Sequence, residues 1–147
     1  MAIGLGGFPK QVEEEQKEDA SELKFPKEFN KSEKDALMTS EVLLLLEHRQ
    51  QQSELKEDIE DVKEVFIKTL DYCRRMAKFR NRETIRSVRQ TFGNLPQIHK
   101  FEEAQLASLV PEGSEEAKAL IPSLENKLTD EQLDEVLKEL AQRRTFE

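Results

Sequence analysis

The block Ser40-Glu-Val-Leu-Leu-Leu-Leu-Glu-His-Arg49 constrains this chain more than any other. Ser40 reads as a helix N-cap and Glu41 falls in the first turn, where the helix dipole favours an anion. Val42–Leu46 then places apolar side chains on every side of that helix. A helix that is apolar all round must be covered all round. The remaining chain is short, at 147 residues, and only 36% hydrophobic against 37% charged. Its core will be thin, and part of this helix is expected to be covered by a second protein.

Further helices follow from periodicity. Ile59, Val62, Phe66, Leu70, Cys73 and Ala77 recur at steps of three and four, with Val65 and Met76 widening the stripe. Asn81 is placed to cap a third helix carrying Ile85, Val88 and Phe92, which stops at Gly93-Asn94 with Pro96 beyond. A fourth spans about His99 to Leu109, with Phe101, Leu106 and Leu109 inward, and ends before Pro111. Ser114 caps a short fifth, from Glu115 to Ile121, stopped by Pro122. Thr129-Asp-Glu-Gln132 has capping-box spacing and opens a sixth with Leu133, Val136, Leu137 and Leu140 on one stripe. Arg143 and Arg144 close it, where cations are favoured. No segment alternates with a period of two, so the expected class is all-α, with about six helices behind an N-terminal arm.

Three regions are expected: an acidic, flexible tail over 1–22, an extended docking arm over 23–39, and a helical domain over 40–147. The tail has too little apolar content to fold alone. In the arm, Leu23, Phe25 and Phe29 are too few to build a core, and Pro26 holds Phe25 extended. The arm either straps onto its own domain or docks on a partner, and the pattern leaves both open. The glycine-rich start is too short in apolar residues for a signal peptide, and the longest apolar run is far short of a membrane span. A single cysteine excludes an internal disulfide and fits a reducing compartment.

Charge is uneven. The net charge is −8, which argues against a primary nucleic-acid binder. Within 71–90, however, seven arginines and lysines face only Asp71 and Glu83, so that segment is +5 and the rest of the chain −13. Arg82, Arg86 and Arg89 share one helix face. They read as a solvated face, as a contact to RNA phosphates, or as a patch for an acidic protein surface. No interleaved aromatic platform accompanies them, which argues against base-specific readout.

Candidate chemistry is sparse. His48, His99 and Cys73 form no set with zinc spacing, and Cys73 falls on an apolar stripe. Gly4-Leu-Gly-Gly7 follows no strand and precedes no Lys-Ser/Thr, so it is no phosphate loop. No catalytic, metal or cofactor residues are assigned.

Several blocks, in order, resemble one family. They are Asp19-Ala-Ser-Glu-Leu-Lys-Phe-Pro-Lys-Glu-Phe29, the Ser40–Arg49 block, Glu64-Val-Phe-Ile-Lys-Thr-Leu-Asp-Tyr72 and Phe79-Arg-Asn-Arg-Glu-Thr-Ile-Arg-Ser-Val-Arg89. His99-Lys-Phe-Glu102, Ala117-Lys-Ala-Leu-Ile-Pro-Ser-Leu124 and Arg144-Thr-Phe146 continue the series. Together they resemble the subunit-four family of eukaryotic RNA polymerase II, which has an archaeal counterpart, from about residue 19 to the end. Residues 1–18 show no correspondence, and Gln52–Asp58 is free to vary.

The resemblance implies a non-catalytic stalk subunit, paired with subunit seven near the RNA exit path of the polymerase core. It implies nascent RNA held mainly by that partner, roles in initiation and transcript handling, and an HRDC-like helical part over about 58–147. It places the chain in the nucleus, with shuttling to the cytoplasm left open. The expected subunit-seven contacts are Leu23, Phe25, Phe29, Val42, Leu44 and Leu45. Alternatives are a polymerase III-type stalk subunit, a free-standing HRDC-like nucleic-acid module, an unrelated helical adaptor and, most remotely, an enzyme.

Overall fold

The computed structural model describes residues 17–30, 36–55 and 63–145. Six α-helices run through the described residues: α1 Thr39–Leu55, α2 Glu64–Met76, α3 Arg82–Thr91, α4 Lys100–Leu109, α5 Ser114–Leu120 and α6 Asp130–Thr145. Short 3₁₀ turns sit at Ala20–Glu22, Lys27–Asn30, Phe92–Asn94 and Pro122–Leu124. The described residues hold no strand, only an isolated bridge between Asp19 and Lys24. The all-α class with six helices is therefore as the periodicities imply. The tail up to residue 16, and Ile59 and Val62 of the second stripe, lie outside the described residues.

Two apolar clusters explain how so polar a chain folds. The larger is built on Phe79, Ile85, Val88 and Phe92, on Leu106 of α4, on Ile121 and Leu124, and on Leu133, Leu137 and Leu140 of α6. The smaller joins Leu43 of α1 to Leu70, Cys73 and Ala77 at α2. The run Val42–Leu46 is shared between them. Val42, Leu43 and Leu46 face α2, and Leu44 packs on the larger core. Leu45 is left over, 57% exposed.

Helix ends show where side chains took over from the expected caps. Asn81 caps α3 as expected, its Oδ1 accepting from the amides of Glu83 (2.8 Å) and Thr84 (3.4 Å). The Thr129/Gln132 capping box is also present, with the Gln132 amide donating to Thr129 Oγ1 at 3.1 Å and the Thr129 amide to Gln132 Oε1 at 3.0 Å. Replacing Thr129 with Ala should cost about 1 kcal/mol, read as a lower urea midpoint with an unchanged slope. α4 starts with a box of the same kind, in which His99 Nδ1 accepts from the Phe101 amide and Glu102 Oε1 accepts from the His99 amide at 2.7 Å.

Two expected caps are corrected. Ser40 lies inside α1, buried, and its hydroxyl accepts from the Phe79 amide at 3.1 Å. The free amides at the start of α1 are met instead by Glu41, which accepts from Met38, and by Ser108, which accepts from Thr39. α5 begins at Ser114 with Gly113 as its cap, and the Ser114 amide donates to Asp134 of α6 at 2.7 Å. At both helix starts a tertiary acceptor, Ser108 or Asp134, takes an amide there, which helix-end geometry leaves open. Leu109, expected inward, is 44% exposed at the end of α4. There Val110 adopts a left-handed conformation (φ 42°) and Pro111 prevents continuation.

Candidate partner-docking surface

The end of the expected tail and the start of the arm are seated on their own chain by a small closed turn. Asp19 and Lys24 exchange backbone hydrogen bonds of 3.0 and 2.8 Å. Asp19 Oδ1 accepts from the Ser21 amide (3.1 Å) and hydroxyl (2.6 Å). Leu23 reverses the chain in the left-handed region (φ 58°) and is half-buried. The turn Ala20–Glu22 lies against Pro122–Leu124. Phe25 is thereby carried onto the start of α4, with its ring centroid 5.4 Å from His99 and 5.1 Å from Phe101. Leu23 and Phe25 thus have intramolecular seats, whereas Phe29 remains 50% exposed.

Two grooves flank the start of α1. The first, about 560 Å³, lies between the arm and α4 and is lined by Phe25, Phe29, Leu37, Phe101 and Leu109 among others. The second, about 620 Å³, lies between α1 and α3. Leu37, Leu44, Leu45 and Ile85 form its apolar lining, and Arg82, Arg86, Arg89, Glu41 and His48 surround it. Leu37 borders both. Phe29, Leu37, Leu45 and Leu109 are each more than one-third exposed. Grouped around these two grooves they form a candidate interaction surface, while Val65, Ile67, Tyr72 and Met76 of α2 and Leu120 of α5 are exposed outside it.

Of the expected contact residues, Phe25 and Phe29 fall on the first groove and Leu44 and Leu45 on the second. Val42 is turned away toward α2. Leu37 and Leu109 join the surface without having been expected there. Leu37 precedes α1, where helical periodicity carries no signal. Leu109 stands one step beyond the buried Leu106, and Phe101, also expected inward, lines the same groove.

The three arginines of α3 do not share one environment. Arg89 is tied inward. Its guanidinium pairs with Glu41, reaches Glu103 Oε2 at 3.4 Å and donates to the Ala36 carbonyl at 3.0 Å. Its side chain is only 12% exposed. Glu103 is almost wholly buried and also pairs with Lys100 at 3.2 Å. Burial pushes its carboxyl above the ordinary glutamate range despite those two cations. Arg82 and Arg86 are exposed and form no ion pair among the described residues. On α2, Arg74 pairs with Glu47 at 3.3 Å and donates to Gln50 at 3.0 Å.

Cys73 is buried, and burial alone raises its thiol pKa, which disfavours the nucleophilic thiolate. His99 is occupied as a helix cap. Among the described residues no three His, Cys, Asp or Glu side chains gather as metal ligands, and no helix is long and apolar enough to cross a membrane.

Comparison with known proteins places the fold in a family. The family described as RNA polymerase Rpb4 matches residues 36–144, from the start of α1 to the last turn of α6. The chain is 38% identical to DNA-directed RNA polymerase II subunit rpb4 of Dictyostelium discoideum, covering 90% of this chain and 92% of that protein. It is 38% identical to DNA-directed RNA polymerase II subunit 4 of Arabidopsis thaliana, covering 90% and 98%. For the rpb4 subunit of Schizosaccharomyces pombe the identity is 39%, covering 88% and 94%. The match runs through the groove-lining helices and nearly the full length of these relatives, and the chain belongs to the RNA polymerase Rpb4 family.

Proposed function

We propose that this chain is a non-catalytic stalk subunit of nuclear RNA polymerase II that pairs with subunit seven beside the RNA exit path. Membership of that polymerase follows from what its relatives are, and the nuclear location from the polymerase. In this reading the chain supports initiation and transcript handling by holding its partner in place, and the partner makes most of the contact with RNA. The observation that carries the pairing is the apolar surface running from Phe29 and Leu109 across Leu37 to Leu45. It coincides in part with the residues that the family resemblance assigns to subunit seven.

The energetics are consistent with a stable dimer. Full burial of a large apolar side chain is worth roughly 1.5–3 kcal/mol. Phe29, Leu37, Leu45 and Leu109 each have more than a third of that still to gain, before the costs of association are met. Leu45 is the cleanest probe, since its side chain is the one member of Val42–Leu46 that neither apolar cluster claims. Leu45→Asp and Phe29→Asp should each weaken binding to subunit seven at least tenfold, measured by calorimetry, while far-ultraviolet circular dichroism stays unchanged. Undiminished affinity in both variants would contradict the proposal. Leu44 is unsuited to the test, because it packs on the larger core and an Asp there would also unfold the chain.

A further inference from the structure

The groove between α1 and α3 has an unusual charge balance for this chain. Aspartate and glutamate outnumber lysine and arginine by 31 to 23. Even so, Arg82 and Arg86 stand at its edge with no carboxylate paired to either among the described residues. The one acid in the lining, Glu41, is taken by Arg89. Beside these guanidiniums the floor is apolar, with Leu45 more than half exposed. An apolar floor with two uncompensated cations on one side fits neither open solvent nor a purely apolar occupant.

Resting on the docking reading above, we infer that the groove receives an acidic amphipathic helical segment of the dimer partner. Its apolar stripe lies on Leu37, Leu44 and Leu45, and its carboxylates meet Arg82 and Arg86. The arginines are four residues apart on α3, hence neighbours on one helix face, about 5–6 Å apart at Cβ. Two carboxylates one helical turn apart on the incoming segment match that spacing, and arginine favours paired hydrogen bonding to carboxylate. This is the helix-in-groove mode of recognition, in which apolar anchors supply affinity and rim charges set register. A polynucleotide would use the arginines but leave the leucine floor uncovered.

The experiment compares Arg82→Glu/Arg86→Glu with Leu45→Asp and with a control of equal charge outside the groove lining, Lys138→Glu/Arg144→Glu on α6. Affinity for subunit seven is measured at about 50 mM and about 500 mM salt, where screening lengths differ severalfold. The arginine variant should lose at least tenfold in affinity at low salt and much less at high salt, with the control unchanged. If Leu45→Asp weakens the dimer and the arginine variant does not, the inference fails and the docking reading stands. If neither weakens it, the docking reading fails as well. An intact dimer whose affinity for a single-stranded oligonucleotide falls in the arginine variant would assign the rim to RNA and overturn the inference. A tighter dimer after deletion of residues 1–16 would place this chain's own acidic tail in the groove, with the same consequence.

Discussion

Replacing Arg89 with Ala should destabilise the fold by roughly 3–5 kcal/mol, the range for removing one partner of a buried ion pair. Arg82→Ala or Arg86→Ala should change stability by under about 0.5 kcal/mol. Arg89 joins Glu41 of α1, Glu103 of α4 and the Ala36 carbonyl, so it fixes the start of α1 against α3 and α4. Its loss leaves Glu103, whose side chain is 1% exposed, with Lys100 as its remaining cation. The value should fall toward the lower end of the range because Lys100 remains. Burial already holds the Glu103 pKa above 4.5, its ordinary value. A carboxyl raised on folding binds its proton more tightly in the native state. Its favourable contribution is therefore present at low pH and lost as pH rises through the folded-state value. Removing Arg89 raises that value further, so the penalty of Arg89→Ala should be larger at pH 7 than at pH 4.5. Adding Glu103→Gln to the variant should recover part of the loss at pH 7. Urea denaturation at the two pH values checks both statements, and a pH-independent penalty would contradict this account of the site.

Glu102→Ala should be at least as costly, about 3–5 kcal/mol. Glu102 is fully buried and accepts from the His99 amide at 2.7 Å, the Ser123 hydroxyl at 2.6 Å and Lys127 Nζ at 2.7 Å. It thus caps α4 and ties that helix to the loop between α5 and α6. Hydrogen bonds to a charged group contribute about 1.5–3 kcal/mol each, and their donors would be left without this acceptor. Glu102→Gln keeps the shape and one acceptor oxygen and should lose less than half as much. Equal losses for Ala and Gln would show that the charge, and not the shape and the retained acceptor, carries the contribution there.

Both glutamates show why part of this fold is hidden from sequence. Glu102 and Glu103 sit side by side in α4, where a sequence reading puts solvated charge, yet both are buried because Lys127, Ser123, Arg89 and Lys100 reach them. Helices with a clear stripe were legible. On α3 and α6, Ile85, Val88, Leu133, Val136, Leu137 and Leu140 are all buried. α1 was legible as a helix with too many apolar faces, but not how they divide, because that depends on two separate clusters meeting on either side of it. The docking surface was half-legible for the same reason. Leu45 emerges as exposed only once Leu43 and Leu44 have been claimed. Arg82, Arg86 and Arg89 share one helix face in sequence, and only the position of Glu41 and Ala36 separates the inward arginine from the outward pair.

We propose that this chain works by holding subunit seven on RNA polymerase II. Native mass spectrometry of the complex purified through the full chain tests it most directly. The expected result is a one-to-one heterodimer with subunit seven, recovered together with the two large subunits of RNA polymerase II, and loss of that assembly in Phe29→Asp/Leu45→Asp. Recovery of the large subunits of a different polymerase, or of the chain without subunit seven, would contradict it.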